Sequence, residues 1–387
     1  MIAYNKTELE NQFLIEEAHS LYKAGFISKE NYTTIEDQLP TVKKQKNILI
    51  RLGMTVLGVF LYSSICGFLT LVGLSQIDDN FNFLLYLYAI IGFAGVEFYA
   101  KQNYKEQGLD DTFLIGGQGL LAIAIGMTTN GYELVIASIA TAIALLTYIR
   151  YINLNSVYIF CISSTATIAY TLFEIGSMGK IILPFALMLF AVALYIVSQK
   201  LIQKIVFPLY HKGIVVVKNF SLVLFYLSGN YLVVRELSVA LLGNEIAPNS
   251  DIPFAWFFYA FTFIVPAIYI VYGLRDKKRS MLWIGFVATV FSIYTIRYYH
   301  HLLPTEVALT VGGLLLFCIT YFSIKKIKDK TSGITFHPDR FINSSDFIHT
   351  EALILTSQFG LKPEVHTESP MEFGGGDFSG GGSGGSF

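Results

Sequence analysis

The chain has 387 residues, 53% hydrophobic and 15% aromatic, with only 14% charged and a mean hydropathy of +0.54. Soluble domains carry roughly 25% charged residues, so composition excludes an ordinary soluble protein and puts the chain in the membrane class. The net charge of −1 gives no basic surplus for nucleic acid, and the lipid bilayer is the expected partner.

Residues 1–46 read as a helical segment. Thr7 with Glu10 has capping-box spacing. Leu9, Phe13, Leu14, Leu21 and Tyr22 form a patchy apolar stripe. Gly25 can close this helix and Ser28 can open a second, running towards Pro40. Such a hairpin is too small for a core of its own. It is expected to pack on the rest of the chain or on a partner. No apolar core of signal-peptide length lies in the first 40 residues.

Residues 47–326 read as an all-α transmembrane bundle. A membrane-crossing helix needs about 20 apolar residues. Ten spans meet or approach that length: 49–74, 81–100, 112–129, 132–149, 156–174, 180–198, 214–234, 253–273, 281–299 and 305–324. Asn130-Gly131 marks a tight turn between the third and fourth, the shortest pair, one of which is a candidate for incomplete crossing. Pro184 and Pro266 are expected to kink their spans. "ALYIV" (193–197) and "AIYIV" (267–271) are alike, but a period near fifty is what two spans and two loops impose anyway. Cys66, Cys161 and Cys318 lie in separate apolar runs without metal-ligand spacing and read as small buried hydrophobes.

Charge sets the expected orientation. With the N-terminus inside, 24 of the 27 Lys and Arg residues fall on inner segments. Only Lys180, Arg235 and Arg297 fall outside. That is the positive-inside pattern. Tyr99, Tyr148, Tyr195, Tyr272 and Tyr321 stand near inner span ends, each shortly before a Lys or Arg, as an interfacial belt does. Both termini are therefore expected in the cytosol.

Residues 327–370 form a cytosolic tail with one amphipathic patch, 348–359. Residues 371–387, "MEFGGGDFSGGGSGGSF", are Gly/Ser-rich and expected to be disordered. They lack the strand and the Lys-Ser/Thr of a phosphate loop.

Few residues stand out for chemistry. In "VVRELSVALL" (233–242) Arg235 lies 17 residues past Lys218, about 25 Å along a helix. That is close to the about 30 Å hydrocarbon thickness, so Arg235 reads as a boundary marker. The alternative is an outer contact for an anion or lipid headgroup, shared with Arg297 and His300. His300 and His301 are adjacent and point apart on a helix, which disfavours a shared metal. Glu97 sits four residues before Lys101 and reads as an ion pair, or else as a coupling carboxylate. Gln118 in "GGQG" and Ser163 and Thr167 in "SSTAT" read as close-packing positions, or with Glu97 as a polar path. No nucleophile–base pair, metal cluster or dinucleotide fingerprint appears, so neither catalysis nor a cofactor is expected.

"EEAHSLYKAGFISKENY" (16–32), followed by a basic stretch and an array of spans, resembles a group of uncharacterised bacterial multi-pass membrane proteins. The Gly/Ser end resembles the tails of other bacterial membrane proteins. The resemblance implies a bacterial inner membrane and carries no site residues. Two classes of function follow: transport or translocation of a small solute or lipid, and a non-transporting scaffold or sensor. An intramembrane enzyme stands third. The sequence carries no signal for an oligomeric state.

Overall fold

The computed structural model describes residues 2–23, 25–45, 47–73, 81–204, 208–242, 251–276 and 278–299, with Thr310, Leu314, Phe317, Tyr321 and Lys325 beyond them. Among these residues the protein is nearly all helical, with twelve helices. Nine are long and apolar enough to cross a membrane, so this is a multi-pass membrane protein.

The N-terminal hairpin comprises α1 (Lys6–Lys23) and α2 (Lys29–Gln38). Thr7 N donates to Asn5 Oδ1 at 3.0 Å, so Asn5 opens α1 and the expected Thr7–Glu10 box does not. Asn5 is held in place by its own N–H, which donates to Asn103 Oδ1 at 3.3 Å. Gly25, at φ +78°, closes α1. The N–H groups of Gly25 and Phe26 reach the carbonyls of Tyr22 and Leu21, the two bonds of a Schellman ending. Ser28 caps α2 as expected, accepting from Asn31 N at 3.2 Å.

The hairpin docks on the bundle. Tyr4, Leu9 and Val42 share one buried cluster with Tyr148, Tyr151, Ile152 and Val157. Two short parallel strands, β1 (Lys43–Lys44) and β2 (Tyr104–Lys105), tie the strap after the hairpin to the loop before the fifth helix.

The bundle consists of α3 (Ile48–Gly73), α4 (Phe81–Lys101), α5 (Leu109–Thr128), α6 (Glu133–Tyr151), α7 (Leu154–Glu174), α8 (Ser177–Lys204), α9 (His211–Gly229), α10 (Tyr231–Leu242), α11 (Ala255–Arg275) and α12 (Arg279–Tyr299). Neighbours in sequence pack as pairs: α4 with α5, α6 with α7, α8 with α9, and α11 with α12. Lacking side chains, Gly92 and Gly117 let α4 and α5 approach closely; a Cβ on Gly92 would lie 2.6 Å from Gly117 Cα. Phe60, Leu71, Leu189 and Trp256 point outward and are about 70% exposed, as side chains facing lipid tails would be.

Two expectations about the spans change, and a third lies outside the described residues. The third and fourth spans are full helices of 20 and 19 residues, long enough to cross, because α5 starts at Leu109 rather than 112 and α6 runs on to Tyr151. Their turn is as expected, with Asn130 and Gly131 both at positive φ. The expected span 214–234 is not one helix: it stops at Gly229 and restarts at Tyr231. The tenth span, 305–324, lies outside the described residues except for Thr310, Leu314, Phe317 and Tyr321, which are helical. The amphipathic patch at 348–359, the tail 371–387, His300, His301 and Cys318 also lie outside them.

Candidate functional site

Among the described residues polar side chains gather in three places. The first is the face that carries the hairpin. The loop into α5 folds around Asp110, whose carboxylate accepts from the backbone N–H groups of Glu106, Gln107 and Gly108 at 2.7, 2.8 and 3.0 Å. Asp111 beside it accepts from Arg51 (Nε 3.0 Å, Nη2 2.5 Å) and from Asn153 Nδ2 at 2.7 Å. Glu106 pairs with Lys44 at 2.6 Å and lies 3.7 Å from Arg51. Burial pushes the Glu106 carboxyl up, but Lys44, Lys105 and Arg51 outweigh it and hold the group below the usual carboxylate range. Lys105 is the odd member. It is only 8% exposed. Among the described residues its ammonium has no hydrogen bond or ion pair, only the Tyr4 ring with its centroid 5.9 Å away. Burial pushes its pKa down, and Lys44 and Lys212 add to that against Glu106.

Glu97 belongs to this face too. It accepts from Arg150 (Nε 3.0 Å, Nη2 2.6 Å) and from Tyr151 Oη at 2.9 Å. The ion-pair reading finds its geometry, but the hydrogen-bonded partner is Arg150 across the bundle rather than Lys101 one turn on. A fork-shaped guanidinium engages both carboxylate oxygens, which an ammonium cannot do.

The second place lies within the first half of the bundle. Gln118 Nε2 donates to Thr147 Oγ1 at 2.5 Å and to Ser156 Oγ at 3.0 Å, joining α5, α6 and α7. Its Oε1 is buried with no partner among the described residues. Gln118 lines an otherwise apolar cavity of about 230 Å3 with Ile115, Gly119, Ala122, Ile143 and Ile159. The expected polar path does not assemble. Ser163 Oγ donates to the Ile159 carbonyl of its own helix at 2.7 Å. Thr167 donates to the Ser163 carbonyl and contacts Thr141 Oγ1 at 3.2 Å. Hydroxyls in an apolar helix satisfy themselves on the preceding turn when no partner is near, which is why sequence pattern alone overstates such paths.

The third place is the break between α9 and α10. Asn230 is fully buried there. Its Oδ1 accepts from Leu232 N and Val233 N, capping α10 from inside the bundle. Its Nδ2 donates to Tyr226 Oη at 2.9 Å and to Thr295 Oγ1 at 3.2 Å. Tyr226 Oη also meets Ser292 Oγ at 2.8 Å. Tyr231 N donates to Thr262 Oγ1 at 3.0 Å. One amide thus links α9, α10 and α12, and Thr262 adds α11. The signal was present in the sequence as "SGNY" (228–231) inside an apolar run.

Arg235 lies one turn into α10. Its Nη1 donates to Tyr231 Oη at 2.8 Å, and its guanidinium sits 4.6 Å from the Tyr299 ring centroid. Tyr231 Oη donates in turn to Asp251 Oδ1 at 2.6 Å, and Tyr299 Oη to Glu236 Oε1 at 2.6 Å. Arg235 is therefore framed by two tyrosines rather than reaching freely outward. Arg297 lies on α12, two residues before Tyr299. Lys180 Nζ donates to the Leu241 carbonyl at 2.7 Å, which places Lys180 at the end of α10.

Compared with protein-family models, with curated proteins and with solved structures, the chain matches none.

Proposed function

We propose that this protein transports or translocates a small solute or lipid across a bacterial inner membrane, with both termini in the cytosol. The observation that carries the reading is the interruption at Asn230. Helices broken inside a bundle are how many transporters build a site and a moving part, because the freed backbone groups must be re-satisfied by side chains that can exchange partners. Here Asn230 and Thr262 re-satisfy the backbone N–H groups, while Tyr226 and Thr295 hold the Asn230 amide and Ser292 holds Tyr226. They come from helices on both sides of the break, so a tilt of α10 would trade one set of bonds for another. The Gln118 cavity, apolar but for one amide, suits an amphiphile better than an ion.

The alternative, a scaffold or sensor, draws on the same network: its bonds are mutually satisfied, which is also how a static bundle is cemented. Proteoliposomes holding the full chain and a fluorescent phospholipid distinguish the two. Transport of lipid lets external dithionite bleach the label of both leaflets, and Asn230→Leu slows it. Bleaching confined to the outer leaflet, with no swelling of the vesicles in small neutral solutes, would favour the scaffold.

A further inference from the structure

On the hairpin face, a cavity of about 50 Å3 lies between α1, β2 and the start of α9, lined in part by Gln12, Glu16, Lys105, Glu106, Lys212 and Gly213. One water needs ~10–15 Å3 on this measure. The space fits a compact group of a few heavy atoms, such as a tetrahedral oxyanion.

The four charges in its wall sum to zero, but Glu106 finds its closest partners outside the wall. Glu16 is taken by Lys212 at 2.7 Å and by Gln12 Nε2 at 3.3 Å. Glu106 is taken by Lys44 and Arg51. Lys105 is left over: more than nine-tenths buried and without an acceptor among the described residues. Its ammonium opens on this cavity, where an anion would supply the partner that the protein does not.

Two further groups in the wall ask for the same ligand. Helix α9 follows Tyr210 with no side-chain cap, so no side chain offsets the positive end of its dipole beside this wall. Gly213 in that first turn keeps the approach tight; a Cβ there would meet Tyr148 Oη at 2.0 Å. Gln12 Oε1 is buried with no donor among the described residues, and a fully ionised anion could not supply one.

We infer that this cavity binds a phosphate monoester, with its oxygens on Lys105, Lys212 and the α9 N-terminus and its P–OH donated to Gln12 Oε1. A protonated phosphate offers acceptors and one donor together. Sulfate does not. A free small molecule and a lipid headgroup such as phosphatidic acid both carry this group, and the site's chemistry is the same for both. This inference does not depend on whether the protein transports anything.

The test uses the full chain in detergent, its apparent Tm followed against inorganic phosphate at constant ionic strength, with sulfate in parallel. A saturable rise with phosphate that exceeds the rise with sulfate is expected. Lys105→Met should raise the half-saturating concentration at least about tenfold, the size expected for one charge-assisted contact. Lys212→Gln changes a half-exposed side chain, so it reads the same site if Lys105→Met fails to fold. Gln12→Leu should narrow the gap between phosphate and sulfate, and Lys278→Gln, on the α11–α12 loop, should change nothing. A parallel arm compares nanodiscs of neutral lipid with and without phosphatidic acid. A shift in that arm alone identifies the lipid as the source. Equal effects of phosphate and sulfate, a phosphate response that Lys105→Met and Lys212→Gln leave intact, or no response in either arm would overturn the inference.

Discussion

Arg51 and Asp111 stand 60 positions apart in sequence and form a two-bond ion pair, Nε and Nη2 both on Oδ2 at 3.0 and 2.5 Å. The pair joins the start of α3 to the start of α5. Asp111 is only 4% exposed and has Asn153 as its other close partner. Breaking one side of a buried pair costs about 3–5 kcal/mol. Arg51 is partly exposed, so Arg51→Met should fall near or below the lower end of that range. Lys6→Met, which removes the exposed pair with Glu10 at 3.6 Å, should cost under about 1 kcal/mol. Apparent Tm values in detergent measure both. Equal losses would mean that the Arg51 pair does not hold the two helices together.

Acid should loosen the docking of the hairpin through Glu106. Its folded pKa lies below the usual range, so its ionised form is bound more favourably in the folded state. That stability is complete above the unfolded carboxylate pKa of about 4.3 and fades as pH falls through the folded value. Protection of α1 amides relative to their intrinsic exchange rate should therefore fall below about pH 4, and Glu106→Gln should flatten that part of the profile.

Lys105 works in the opposite sense. Its folded pKa is lowered, so the unfolded chain binds the proton more tightly and the group costs stability at neutral pH. The cost shrinks as pH climbs from the folded pKa towards the unfolded value of about 10.4. In phosphate-free buffer Lys105→Met should melt above wild type at pH 7, and the two curves should converge in alkali. A variant that melts below wild type at pH 7 would mean that the ammonium already has an anionic partner.

Two glycines on neighbouring stretches of the bundle should respond oppositely to alanine. Gly92→Ala forces a Cβ against Gly117 Cα and Tyr62 Oη, at 2.6 and 2.8 Å. Overpacking of this kind costs about 1–3 kcal/mol. Gly119→Ala meets nothing within 4 Å and should be neutral or gain about 0.5–1 kcal/mol from helix propensity. Thermal unfolding of the two variants side by side checks the contrast.

Single cysteines in a cysteine-free background test the orientation. Cysteine at 249 should react with an impermeant thiol reagent added outside, and cysteine at 277 should not. The reverse pattern would invert the proposed topology.

The bundle was legible in the sequence because lipid imposes one requirement on every crossing segment: about 20 apolar residues in a self-satisfied helix. That requirement is local, so nine of the ten expected spans overlap helices long and apolar enough to cross. Turn and cap chemistry is local too, and Gly25, Ser28 and Asn130-Gly131 behave as their residue types predict. The interruption at Asn230 is different. Hydropathy runs unbroken through 214–234 and Gly229-Asn230 only permits a stop there; Tyr226, Thr262 and Thr295, brought in by three helices, hold the Asn side chain and the freed backbone once the helix has stopped. Partner choice was decided in the same way. Glu97 had Lys101 one turn away, yet tertiary packing delivered Arg150 with a fork that fits both oxygens. Lys105 in "NYKEQG" looks like any loop lysine, yet segments distant in sequence, which carry Tyr4, Gln12 and Lys212, close around it. Hydrophobic length is written along the chain, whereas the pairing of polar groups depends on which distant segments share a low-dielectric interior.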